Sequence, residues 1–159
     1  MANLREQIRM SEEERLRFLE EERVVTCASL GPRGRPHLMP LWYALDGNAV
    51  LAWTYARSQK TRNLERIPQA TLQVEAGRDV YEELRGVMME CDVEIVREPE
   101  RVQAIGLAIA RRYSGIAPGS DLPEEARRAV LAQAPKRVGF RFAPTRVVSW
   151  DHRKLPAKR

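Results

Sequence analysis

The run Trp53-Thr54-Tyr55-Ala56-Arg57-Ser58-Gln59-Lys60-Thr61-Arg62-Asn63-Leu64 gathers hydroxyls and cations where an apolar stretch gives way to a polar one. Its spacing predicts a strand ending near Thr54 and a short helix capped by Ser58, terminated by Pro68. The first N–H groups of a helix have no intrahelical acceptor and its dipole favours negative charge, so such a junction can hold phosphate. Ser58 would supply a hydroxyl, Gln59 and Lys60 their amides, and Arg57 and Lys60 charge-assisted hydrogen bonds. The same residues also read as an ordinary N-cap with solvated basic side chains, and spacing alone does not separate the two readings.

Other reactive residue types lead elsewhere. Cys27 and Cys91 each sit in an apolar run with no Cys-x-x-Cys pattern, which reads as two reduced core thiols. His37 and His152 have no second ligand at metal spacing, so no protein-bound metal is expected. Gly31-Pro32-Arg33-Gly34 lacks the third glycine and following helix of a dinucleotide fingerprint and reads as a turn. Trp42, Trp53, Tyr55, Tyr81 and Trp150 could in principle stack bases, but aromatics in strands are more often core or ligand-ring neighbours. With no helix-turn-helix or RNA-recognition signature, a nucleic-acid partner is not expected.

The elements that would position these residues follow from periodicity. Ser11-Glu12-Glu13-Glu14 is a capping box opening a helix to about Glu22. Residues 23–30, 35–45 and 49–54 are strand-like and joined by turns at Gly31–Gly34 and Asp46–Asn48. Two further strands lie at 69–77 and 83–96, the second expected to bend at Gly86. Helical spacing fills 99–113 and the stretch from Leu122 to Ala134, with Pro123 as first helical residue. Strands return at 136–142 and 146–151, broken at Pro144. This order predicts a mainly β (α+β) barrel-type domain spanning 1–159, with short peripheral helices and a helical insert at about 98–135.

With 43% hydrophobic and 31% charged residues the composition is that of a folded globular chain and not of a disordered one. The net charge of +5 is concentrated in residues 33–66 and 136–159. Such blocks fit an anionic ligand's pocket, a nucleic-acid surface or solvated faces. No apolar run approaches the roughly 20 residues of a membrane crossing, and the N-terminus lacks a secretory pattern, so a cytoplasmic protein without a membrane partner is expected.

Three strands, a T-x-x-x-S-x-K-x-x-N-L segment ended by E-R-x-P, and a long strand opening with E-L-R-G-V resemble the pyridoxamine 5′-phosphate oxidase-like split-barrel flavoproteins. Pro40-Leu41-Trp42-Tyr43, Ser58 to Leu64 and Tyr81-Glu82-Glu83-Leu84-Arg85-Gly86-Val87 resemble the branch that binds the deazaflavin coenzyme F420. The resemblance implies a split β-barrel of the FMN-binding type, working as an F420-dependent oxidoreductase on an unsaturated or quinone-like small molecule. FMN is the alternative cofactor, and a non-catalytic FMN- or haem-binding barrel the alternative function. It places Thr54, Arg57, Ser58 and Lys60 at the cofactor phosphate and Met39, Pro40 and Leu41 along the ring system, with Trp42 close to that ring. It also implies a homodimer in which Trp150, Arg153 and Lys154 close the partner's pocket. Tyr43 and Tyr55 are possible proton donors, and no catalytic residue is assigned. Where true pyridoxamine 5′-phosphate oxidases carry Arg-x-His near the C-terminus, this chain reads Ser149-Trp150-Asp151-His152-Arg153-Lys154, so oxidation of aminated vitamin B6 is not expected.

Overall fold

In a computed structural model the described residues, 3–156, run α1 (Leu4–Gln7), α2 (Glu12–Glu21), β1 (Val25–Leu30), β2 (Pro36–Leu41), β3 (Ala44–Asp46), β4 (Ala49–Tyr55), α3 (Gln59–Arg66), β5 (Gln69–Ala76), β6 (Arg85–Val96), α4 (Pro99–Tyr113), α5 (Glu124–Gln133) and β7 (Arg137–Asp151). All neighbouring strands pair antiparallel in one seven-stranded sheet of order β2-β1-β5-β6-β7-β4-β3. Among the described residues no helix is long and apolar enough to cross a membrane.

The strand order closes the sheet. Its two edges, β2 and β3, are consecutive in sequence and joined only by Trp42 and Tyr43. Three Cα steps reach at most about 11 Å, whereas the usual strand spacing of about 4.8 Å would put the edges of a flat sheet of this size roughly 29 Å apart. The sheet therefore curls until its edges nearly meet, and the fold is a split β-barrel with peripheral helices.

Inside the barrel pack Val25, Cys27, Val50, Leu72, Val74, Val87, Met89, Phe140 and Phe142, with Phe18 and Leu19 of α2 in the same cluster. Each such side chain contributes roughly 1.5–3 kcal/mol by leaving water. Helix α4 lies on the outside, its Val102, Ile105 and Ile109 against Ala44 and Val96. It approaches closely because Gly106 has no side chain: a Cβ there would stand 2.5 Å from Trp53.

The predicted capping box forms, Ser11 Oγ accepting from the Glu14 amide at 3.1 Å and Glu14 from the Ser11 amide at 2.6 Å. Three expectations are corrected. The strand expected over 35–45 is two, broken at Trp42-Tyr43 so that the chain can step from one sheet edge to the other. Residues 137–151 form one strand despite Pro144. Glu90 faces Arg146 and Cys91 faces Pro144, so Thr145 is the extra residue of a bulge, and β4 pairs only as far as Phe142. A proline without an N–H is tolerated at such an irregularity. The shift in β6 thus lies between Glu90 and Cys91 and not at Gly86, whose small size serves Trp150: a Cβ on Gly86 would stand 2.3 Å from the indole.

Candidate functional site

At the end of β4 the chain turns sharply into α3. The Ala56 amide donates to Lys136 O at 3.0 Å and the Ser58 amide to Tyr55 O at 3.0 Å. Ser58 caps the helix, its Oγ accepting from the Thr61 amide at 3.3 Å. The Thr61 hydroxyl donates to Tyr55 O at 3.2 Å, so in the Ser58–Thr61 contact at 3.0 Å the proton comes from Ser58. That proton can turn to an incoming acceptor without breaking the cap, because capping uses the oxygen lone pair. Helix geometry leaves the Gln59 and Lys60 amides without an intrahelical acceptor. The helix is held against β1 by buried Asn63, which donates to Ser29 Oγ at 3.0 Å and accepts from Gln59 at 2.8 Å.

Lys60 does not behave as a solvated cation. It is 8% exposed and folds back to donate from Nζ to Thr54 Oγ1 at 2.9 Å. Burial is the main cause lowering its pKa, the nearby Arg137 charge lowers it further, and Cys27 acts in the opposite sense. Cys27 is itself no counter-ion, since burial pushes its thiol up to about 11. Among the described residues no carboxylate pairs with Lys60, Arg57 or Arg137. An ammonium withdrawn from water with a single neutral acceptor is costly unless an anion completes its shell.

Arg137 is the residue that sequence reading missed. It begins β7 opposite Tyr55, its guanidinium stands 3.7 Å from the Tyr55 ring centre and 5.2 Å from that of Trp53, and its Nε is buried with no hydrogen-bond partner among the described residues. The signal was the basic block from residue 136, but only the β4–β7 register brings it to this junction. Arg57 is exposed beside the turn. Two hydroxyls, two amides that helix geometry leaves without an intrahelical acceptor and, among the described residues, three cations without a carboxylate make this junction chemically suited to an anion.

The residues expected along the ring lie nearby. Cys27, close enough to Lys60 to feel its charge, pairs with Met39, so β2 runs alongside the cationic junction. Leu38, Met39 and Pro40 are exposed on this edge strand and Trp42 is exposed just beyond it, while Leu41 is buried. Tyr43 is no proton donor to a ligand. It is fully buried, donates its hydroxyl to Leu19 O at 2.6 Å and Glu22 O at 3.0 Å, and burial raises its pKa to about 12. Tyr55 remains exposed.

Trp150 is not brought to this junction within one chain. It lies near the far end of β7, with Arg5, Arg9, Met88 and His152 around a cleft of about 780 Å³. Twelve residue steps along the strand separate it from Val138, the partner of Thr54, a run of roughly 40 Å when extended. Arg153 is engaged by Asp151 at 2.6 Å and 2.9 Å, and Lys154 by Glu14 at 2.7 Å and Arg9 O at 2.9 Å.

The family model described as pyridoxamine 5′-phosphate oxidase matches residues 11–150. A crystal structure of a conserved hypothetical protein from Mycobacterium tuberculosis is similar, with 39% identity over 99% of this chain and 96% of that one and a TM-score of 0.86. A structure titled F420 reductase shows 25% identity over 82% of this chain and 93% of that one, with a TM-score of 0.61. The haem storage protein HutZ from Vibrio cholerae shares the fold, with 17% identity over 87% of this chain and 94% of that one and a TM-score of 0.67. No curated protein matches the chain. With the match spanning almost the whole barrel, and the barrel itself closed as above, the chain belongs to the pyridoxamine 5′-phosphate oxidase family.

Proposed function

We propose that this protein is an F420-dependent oxidoreductase that reduces an unsaturated or quinone-like small molecule. The observation that carries the reading is the buried Lys60 ammonium, 2.9 Å from Thr54 Oγ1 and, among the described residues, without a carboxylate partner. Lys60, Thr54, Ser58 and Arg57 would hold the phosphate, with the Gln59 and Lys60 amides behind them, and Met39, Pro40, Leu41 and Trp42 would flank the ring. When bound, the reduced deazaflavin supplies a hydride, which with one proton from solvent converts a quinone into its hydroquinone. The protein's part is to orient the two rings and exclude water, which calls for position and not for a nucleophile. The excess of cations at the junction favours the longer acidic tail of F420 over the single phosphate of FMN, and the likeness to an F420 reductase supports the same choice.

The site is completed by a second copy in this reading. Trp150 cannot reach its own chain's Lys60, and the exposed apolar side chain of Val148 beside it calls for cover. Trp150, Arg153 and Lys154 would close the partner's pocket. Two buried reduced thiols agree with a cytoplasmic setting.

Titration of the purified protein with F420 and with FMN tests the cofactor. F420 should bind more tightly, and FMN binding at least tenfold more tightly would reverse the choice. Oxidation of reduced F420 on adding quinones then tests catalysis. Light scattering tests assembly, where a monomer binding cofactor with full affinity would remove the shared site.

A further inference from the structure

Helix α4 ends at Tyr113, an aromatic residue to which the cofactor reading gives no role, packed against Trp42, to which it gives one. Trp42 is 59% exposed, yet its indole lies parallel to the Tyr113 ring at 4.3 Å with only 8° between the planes. Tyr113 is itself fixed, its hydroxyl donating to Arg23 O at 2.6 Å and accepting from the Tyr43 amide at 3.1 Å. The Arg23 guanidinium stands 5.5 Å from the Tyr113 ring centre and donates to Arg112 O at 2.7 Å. Arg112 is clamped in turn, donating to Leu19 O at 2.6 Å and Glu22 O at 2.7 Å and lying 4.2 Å from the Tyr43 ring centre. Trp42 thus sits between two buried neighbours in sequence, Leu41 and Tyr43, with a braced ring on one side and water on the other.

An exposed aromatic held in one orientation has lost its rotamer freedom before anything binds, so a planar ring stacking on it meets a prepared surface. We propose that α4 shapes the acceptor-binding wall of the site, with Tyr113 the positioning residue that presents the outer face of Trp42 to a planar, quinone-like acceptor. The proposal rests on the oxidoreductase reading for its acceptor class and assigns a role to the helical segment between β6 and β7. The occupant is a flat ring because the presented surface is one exposed indole face whose other face is already taken by Tyr113.

The test compares wild type, Tyr113→Phe and Tyr113→Leu in the full chain with menadione as acceptor. Tyr113→Leu removes the stack and should raise KM for menadione about threefold to tenfold, what a stacked aromatic pair contributes. The F420 dissociation constant should change less than this KM, since the phosphate residues are untouched and Trp42 itself is retained. Tyr113→Phe keeps the stack and should lie close to wild type. Quenching of tryptophan fluorescence by menadione without cofactor should weaken in Tyr113→Leu, and this readout survives even if F420 fails to bind, which would overturn the cofactor reading alone. Unchanged KM and unchanged quenching in Tyr113→Leu, whatever its melting temperature, would make Tyr113 merely structural and overturn the proposal. Tryptophan fluorescence that responds to dilution of the protein but not to menadione would show a second copy covering Trp42, and overturn it equally.

Discussion

Replacing Lys60 by methionine separates anion binding from folding, because methionine keeps most of the apolar stem and removes only the charged end. In the free protein the ammonium is 8% exposed and has one hydroxyl acceptor at 2.9 Å. Its removal relieves a desolvation cost while forfeiting one hydrogen bond, so stability should stay level or rise by about 1–2 kcal/mol. Linkage gives the same sign. Burial lowers the pKa of Lys60 from the ordinary 10.5, so the unfolded chain binds this proton more tightly, and the free wild-type protein gains stability as pH rises through the folded pKa towards that value. The Lys60→Met protein should lack this increment. Cofactor affinity should move the other way, falling about ten- to a hundredfold with the loss of a charge-assisted bond of roughly 1.5–3 kcal/mol. Ser58→Ala supplies the contrast, losing affinity and also about 1 kcal/mol of stability, because Ser58 Oγ caps α3. Calorimetric titration with F420 and FMN, paired with urea unfolding of the free proteins, reads both quantities. A Lys60→Met protein that binds both cofactors as wild type does would remove the phosphate site from this junction. One that loses several kcal/mol of stability would make Lys60 a structural residue.

Arg137→Gln should weaken F420 binding several-fold and cost about 0.5–1 kcal/mol of stability through the lost stacking on Tyr55; unchanged affinity in the titration would exclude Arg137 from the anion site. Gly86→Ala places a methyl 2.3 Å from the Trp150 indole and should destabilise by about 1–3 kcal/mol in urea unfolding, with a shift in tryptophan emission. Wild-type stability after that change would mean that Trp150 yields freely. The hydrogen bonds from Arg153 lower the pKa of buried Asp151 below its ordinary 3.8, so the pair stabilises above that value and the contribution is lost as pH falls through the folded pKa. Asp151→Asn should cost roughly 1–2 kcal/mol at neutral pH, a value discounted because Arg153 is half in water, and the two proteins should converge in acid. A gap that persists in unfolding curves at pH 2 would assign the effect to packing.

Local order alone specified much of this protein. The Ser11–Glu14 box, the turns at Gly31–Gly34 and around Gly47, and the Ser58 cap are decided by residues within four positions of one another, and each forms as its own chemistry requires. The hydroxyl and basic run from Thr54 to Lys60 was equally legible, because a strand-to-helix junction places those groups together whatever surrounds it. What local order could not contain was the burial of Lys60, which depends on β1, β4 and β7 meeting at one end of the barrel. Arg137, more than seventy residues further along the chain, joins the junction only through the register of β7 against β4. The same distance dependence explains the errors. Tyr43 reads as a free phenol until α2 delivers the carbonyls of Leu19 and Glu22 to its hydroxyl. Residues 35–45 read as one strand until closure requires their halves to sit on opposite sheet edges. Side-chain type and spacing set which groups are available to chemistry; strand pairing between distant segments set which of them lose their water.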